Sequence, residues 1–249
     1  MGRDEHDAAE KRAVEVNGVD FRYRPELPLA LRGLRLGLER GSRCLLVGAN
    51  GAGKTTLLRV IGGKHLIAPG AVSVLGRPAF HDTALAGKVA FLGGPFPFEV
   101  DVRVGDILAR TAKEPQRCRL LQELLAVDLD WHMHRISDGQ RRRVQLLLGL
   151  MHPFEVLLLD EITTDLDIIA RTDLLAFLRR ESEQRGVTIL YATHILDRLE
   201  RWASHLALVE RGSLSWLGPL SALSELDENG GPLRLSELVE GWLRGGLKP

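Results

Sequence analysis

Short apolar runs punctuated by glycine-rich turns alternate along this chain with stretches of helical periodicity. Ala13 to Tyr23 (AVEVNGVDFRY) alternates loosely and ends in aromatic residues, which predicts an edge strand. Leu34 to Leu38 and Arg43 to Val47 continue as strands. A helical pattern then runs to Ile61 and stops at Gly62-Gly63. Pro69-Gly70 marks a turn before a strand over Ala71 to Leu75, and Lys88 to Leu92 (KVAFL) runs into Gly93-Gly94-Pro95. From Val102 to Val127 the pattern is helical, anchored by Leu108, Leu120, Leu121, Leu124 and Leu125 and interrupted at Pro115, as an inserted helical subdomain would be. Val156 to Leu159 and Thr188 to Ala192 are apolar throughout, the mark of strands buried on both faces, with a helix between them through about Glu183. His205 to Glu210 and Ser213 to Leu217 form a closing hairpin around Arg211-Gly212. Leu235, Leu238, Val239, Trp242 and Leu243 share one helical face expected to dock on the rest of the chain. The pattern divides the chain into a charged tail over 1–11, a main unit over 12–220 with its helical insertion at about 95–152, and a helical extension over 221–249.

The most informative stretch is CLLVGANGAGKTTLLRVI, from Cys44 to Ile61. It passes from apolar strand through glycine-rich turn into helix. Gly48, Gly53, Lys54 and Thr55 fit the spacing G-x-x-x-x-G-K-[ST]. Gly51 adds another residue without a side chain where backbone must wrap phosphate, and Asn50 and Ala52 complete the turn. Backbone N–H groups and the positive end of the following helix attract phosphate oxygens. Lys54 adds a full charge toward the β and γ phosphates, the Thr55 hydroxyl suits magnesium, and Thr56 supplies a further hydroxyl. Val156 to Leu159 ends in Asp160-Glu161, two carboxylates at the carboxyl edge of a parallel sheet. Asp160 suits the magnesium shell and Glu161 a general base that polarises water toward the γ phosphate. Thr193-His194 closes another core strand at the same edge, where His194 is placed to hydrogen-bond the γ phosphate. In ISDGQRRRVQL, Ser137 is a helix N-cap followed by Gly139 and Gln140, a second surface whose N–H groups suit an anion. Tyr23 is either a ring for stacking on adenine or a half-buried strand residue, with Phe21 the competing candidate.

Composition narrows the setting. The 249 residues suffice for one large core. Lys plus Arg balances Asp plus Glu at 33 each, so net charge recruits neither nucleic acid nor an anionic membrane. Arg141, Arg142 and Arg143 are the densest basic run. Without interleaved aromatics they read as a solvated face or partner surface ahead of an RNA-binding patch. The two cysteines are too few for a disulfide framework and suit a reducing compartment, cytoplasm or nucleus. No run has the length of a membrane span, the start MGRDEHDAAEKRAVEV is unlike a signal peptide, and His6 stands where a myristoylation motif wants Ser or Thr. A soluble protein is expected, with any membrane role reached through a partner. His132 and His134, at i and i+2 with no carboxylate or thiolate cluster in sequence, make a poor metal-ligand set and read as structural.

Taken together the motifs resemble the ATP-binding cassette (ABC) ATPase family. GANGAGKTT resembles its Walker A motif, VLLLDE its Walker B motif, and ISDGQ its LSGGQ signature. Ile162 to Asp167 (ITTDLD) resembles the D-loop, and Thr193-His194 the switch histidine. The resemblance implies an α/β P-loop NTPase of the ABC nucleotide-binding type, with a mixed β core and an inserted helical subdomain. It implies an ATP hydrolase using ATP and Mg2+, in which two cassettes meet head to tail. Each ATP would lie between Lys54 of one and Ser137 and Gly139 of the other. A single cassette without internal repeat implies a homodimer, or a heterodimer with another ABC subunit. Gly93 and Gly94 stand where the family has a glutamine, which argues against standard transporter coupling. Asp138 replaces a signature glycine and Ile162 a proline. The phrases MHRISDGQRRRVQL, LLLDEITTDLD and YATHILD are similar to a soluble eukaryotic branch of the family. That branch includes plant members without membrane domains and a yeast member associated with the Not-type transcription and deadenylation complex, which implies a regulatory protein complex as partner. The alternatives are the ATP-hydrolysing subunit of a membrane transporter and a nucleotide-gated binding module with negligible turnover.

Overall fold

The computed structural model describes residues 11–94, 101–223 and 234–245. Residues 1–10 of the expected tail, 95–100 at the start of the expected insertion, and 224–233 and 246–249 of the expected extension lie outside them. In chain order the strands are β1 (Arg12–Phe21), β2 (Leu31–Glu39), β3 (Arg43–Val47), β4 (Val72–Val74), β5 (Arg77–Pro78), β6 (Val89–Gly93), β7 (Val156–Asp160), β8 (Thr188–Ala192), β9 (His205–Glu210) and β10 (Ser213–Pro219). The helices are α1 (Lys54–Ile61), α2 (Val104–Thr111), α3 (Pro115–Leu124), α4 (Asp138–Leu150), α5 (Ile168–Arg185) and α6 (Leu235–Leu243).

Two sheets form. One is antiparallel, in the order β2-β1-β4-β5. The other runs β10-β9-β3-β8-β7-β6. Its strands from β9 to β6 are parallel and β10 joins antiparallel at one edge, so the sheet is mixed. Because successive strand side chains point to opposite faces, the central strands feed two cores. Cys44 and Leu46 of β3, Leu158 of β7 and Leu190 of β8 face α1 and the antiparallel sheet, joining Leu57, Leu58 and Ile61. Leu45, Val47, Leu157, Leu159, Ile189 and Tyr191 face the other way, toward α4 and α5. That two-sided burial explains why these strands read as unbroken apolar runs.

Pro115 sits in the first turn of α3, where its missing N–H costs nothing, so the interruption in the helical pattern is a boundary between α2 and α3. Arg117 anchors α3. It makes bidentate bonds to Glu181 of α5 at 3.0 and 2.8 Å, donates to the Leu150 carbonyl at 2.7 Å, and lies over the Phe154 and Phe177 rings. On α6, Leu235, Val239 and Trp242 enter the main core and Trp242 packs on Trp216. Leu243, expected on the same face, is exposed, because it lies one position beyond the buried stripe.

The arginine run also departs from expectation. Arg142 pairs with Asp165 at 3.3 Å and reaches the Gln145 side chain at 2.6 Å, while Arg143 pairs with Asp167 and donates to the Leu125 carbonyl at 3.1 Å. Arg141 donates to the Met133 carbonyl at 3.4 Å. The charges of Arg142 and Arg143 are thus met inside the chain, where they fasten α4 to the segment ahead of α5.

Candidate nucleotide site

The β3–α1 turn packs closely against the chain's own backbone at two glycines. Gly48 and Gly53 hold φ of 151° and 110°. A Cβ on Gly48 would fall 2.2 Å from the Val209 carbonyl oxygen, and one on Gly53 would fall 2.8 Å from that of Ala30. Any side chain at either position would push the turn open. Gly53 is the N-cap of α1 and no side chain caps that helix, so the first N–H groups are left for an outside acceptor. Lys54, only 8% exposed, folds its ammonium back over the turn and donates to the carbonyls of Gly48 at 2.7 Å and Ala49 at 3.1 Å. Two of its three protons are thereby used and the third remains for a phosphate oxygen. Burial lowers the Lys54 pKa from its ordinary value, while the Glu161 and then the Asp160 carboxylates act to raise it.

Both carboxylates come from the end of β7, which β8 separates from β3. Asp160 ends β7 and accepts from the Thr55 hydroxyl at 3.1 Å, so the two groups with the right chemistry for a hard divalent cation already touch. Glu161 takes the left-handed conformation, with φ of 52°, a strained geometry for a residue with a Cβ. Its N–H is held by the Ala192 carbonyl at 2.9 Å, and its Oε2 accepts from His194 Nδ1 at 2.9 Å. This turn re-aims Glu161 away from Asp160, so that adjacent residues present carboxylates in different directions. Behind it, Thr163 and Tyr191 share a buried hydroxyl contact that fixes the following loop.

Tyr23, Ala30, Asn50 to Thr56, Asp160 and Glu161 line one open cleft of about 460 Å³. Tyr23 stands at its rim, 47% exposed, with its hydroxyl 3.0 Å from the Thr56 hydroxyl. Phe21 meets that ring edge-on at 5.2 Å and His65 does so at 5.3 Å, leaving Tyr23 as the aromatic on the cleft and Phe21 as its support. Sequence reasoning did not pick out His65, whose only local signal is its place just past the glycine pair that ends α1.

The second surface expected to face an anion lies elsewhere. Ser137 caps α4 in a reciprocal box. Its hydroxyl accepts from the Gln140 N–H at 3.2 Å, and the Gln140 side chain accepts from the Ser137 N–H at 2.9 Å. The Ser137 O–H proton stays available to an acceptor. Gly139 passes close to the Asp165 carbonyl, 3.0 Å from where a Cβ would stand. Among the described residues, none of Ser137, Gly139 and Gln140 lines the cleft that holds Lys54. Within one chain the capped end of α4 and the Lys54 cleft are therefore separate. Gly93 has a physical reason for its identity: it pairs with Asp160 across β6 and β7, and a Cβ there would stand 2.6 Å from that of Asp160. A side chain at Gly93 would require the paired strand end to shift, whereas the space around Gly94 is open. The Gly94 carbonyl is reached by Arg142 at 3.3 Å and Gln145 at 3.4 Å from α4.

Comparison with known proteins agrees with this geometry. The family model described as ABC transporter matches residues 31–164. ABC transporter I family member 21 of Arabidopsis thaliana is 47% identical over 95% of this chain and 87% of its own length. CCR4-associated factor 16 of Saccharomyces cerevisiae is 36% identical over 81% of this chain and 77% of its own. Among solved structures, a dimeric post-hydrolysis state of the ATP-binding cassette MJ0796, bound to ADP and Pi, superposes with a TM-score of 0.68 at 19% identity. It covers 83% of this chain and 98% of that one.

Proposed function

Because the chain belongs to the ATP-binding cassette family and is an ATPase of that type, we propose that two copies close head to tail on Mg2+–ATP and transmit that closure to a regulatory protein complex. The observation that carries the reading is the separation of the half-sites. The cleft holds Lys54, Thr55, Asp160 and Glu161, and the capped end of α4 holds Ser137, Gly139 and Gln140 outside it. A triphosphate seated on Lys54 keeps one side open, and a second copy brings the missing donors to that side. Lys54, the uncapped end of α1 and the Gly48–Thr56 backbone bind the phosphates. Tyr23 stacks on the base, Thr55 and Asp160 hold the cation, and Glu161 takes the proton of the attacking water. His194 orients Glu161 through their 2.9 Å bond and lies beside the γ phosphate.

The regulatory half rests on two observations. Gly93 and Gly94 stand where transporter cassettes carry the glutamine through which they couple to their membrane subunits. A relative at 36% identity is named for association with CCR4. No helix among the described residues is long and apolar enough to cross a membrane. Such a complex, in transcription or mRNA turnover, places the protein in the cytoplasm or nucleus. Residues 12–220 form the cassette in this reading, with 95–152 inserted and 221–249 as its extension. Affinity purification of the full chain from native extract, with and without ATP, tests it. Co-purification with soluble regulatory proteins, enriched by ATP, is expected. Recovery with an integral membrane permease instead would contradict it.

A further inference from the structure

The histidine pair that looked unpromising in sequence acquires a third partner in the fold. Residues 101–104 run antiparallel to residues 131–134. The Met133 N–H bonds the Val102 carbonyl at 3.0 Å, the Val104 N–H bonds the Trp131 carbonyl at 2.9 Å, and Arg103 bridges to His132. That register sets Asp101 opposite His134, and the period-two alternation puts His132 on the same face. Asp101 Oδ1 lies 2.6 Å from His132 Nδ1 and 2.9 Å from His134 Nδ1, and the three ligand-type atoms all fall within 4.8 Å of one another. Two imidazole nitrogens and a carboxylate oxygen thus converge from a backbone ladder that needs no metal to form.

We propose that Asp101, His132 and His134 form a three-ligand site for Zn2+ on the edge of the α2 segment, separate from the nucleotide cleft, with water completing the coordination. The donor set is that of a borderline cation: nitrogen-rich for Mg2+ or Ca2+, and without the thiolates that select softer ions. Zinc bonds of about 2.0–2.1 Å place tetrahedral ligand atoms roughly 3.3 Å apart. The present separations of 2.6 and 2.9 Å need only a small opening of partly exposed side chains. Arg135 Nε donates to His134 Nε2 at 3.0 Å, so the metal-free ring carries its proton on Nδ1. Coordination through Nδ1 moves that proton to Nε2, and the exposed Arg135 side chain turns to solvent. Arg103, the other nearby cation, is already paired with Asp106 and Asp130.

The test is calorimetric titration of the chelator-stripped full chain with zinc sulfate in the absence of nucleotide. Its outcome is therefore independent of the ATPase reading. One equivalent at micromolar affinity or tighter is expected, weakened about tenfold or more in Asp101→Asn and in His134→Gln. X-ray absorption of the zinc-loaded wild type should show two imidazole donors with oxygen completing the shell, a readout that stands even where a variant fails to fold. Uptake that is absent in the wild type, unchanged in both variants, or set in a shell without two imidazoles would overturn the assignment.

Discussion

Replacing Lys54 by alanine is expected to weaken ATP binding by about a hundredfold, measured by equilibrium titration with a fluorescent ATP analogue. Charge-assisted hydrogen bonds contribute roughly 1.5–3 kcal/mol each, and about 1.4 kcal/mol is a factor of ten in affinity. The Lys54 ammonium is the only cationic group lining the cleft among the described residues, so no neighbour takes over its charge. Its bonds to the Gly48 and Ala49 carbonyls also hold the turn in the shape that phosphate meets. Gly48 is half-buried and Ala49 exposed, so water reaches the carbonyls that lose their donor and the variant is expected to stay folded. Wild-type affinity in Lys54→Ala would mean that the triphosphate sits elsewhere.

The second large effect is expected at Glu161. Glu161→Gln keeps the size of the side chain and an oxygen able to accept from His194 Nδ1, but it removes the base. Turnover should fall by about 10²–10⁴-fold, the usual contribution of a positioned general base, while nucleotide binding persists. Steady-state phosphate release and ATP binding, measured on the same preparation, separate the two effects. Binding without turnover should also let closed dimers accumulate under ATP, visible by light scattering after size exclusion. Unchanged turnover would assign water activation to another group, with Asp160 and His194 the nearest candidates.

What the sequence made legible follows from the distance over which each signal acts. The phosphate-binding turn, the carboxylate pair and the Ser137 cap are local. Their residues lie within one strand–turn–helix or one helix end, where spacing and cap chemistry dictate geometry directly. The core strands were legible for a similar reason, since two-sided burial leaves an unbroken apolar run. Cross-chain pairings left no such trace. Arg142 and Arg143 read as a basic face because Asp165 and Asp167, which neutralise them, arrive from the loop ahead of α5. His132 and His134 read as structural because Asp101 reaches them only through an antiparallel pairing of distant segments. The absent glutamine was visible, but the close approach of Gly93 to its neighbour was not. The crowding of Gly93 against Asp160 depends on the register between β6 and β7.

The composite site itself is tested most directly by mixing two disabled variants. Lys54→Ala lacks the phosphate cation but keeps the capped end of α4, and Ser137→Arg blocks that end but keeps the cleft. Each alone should show little ATP turnover. Mixed as purified proteins, they form dimers in which the cleft of one chain faces the intact Ser137 end of the other, and turnover should rise well above the sum of the separate activities. If the mixture never exceeds that sum while each variant folds and Ser137→Arg still binds ATP, the site is not shared between two molecules.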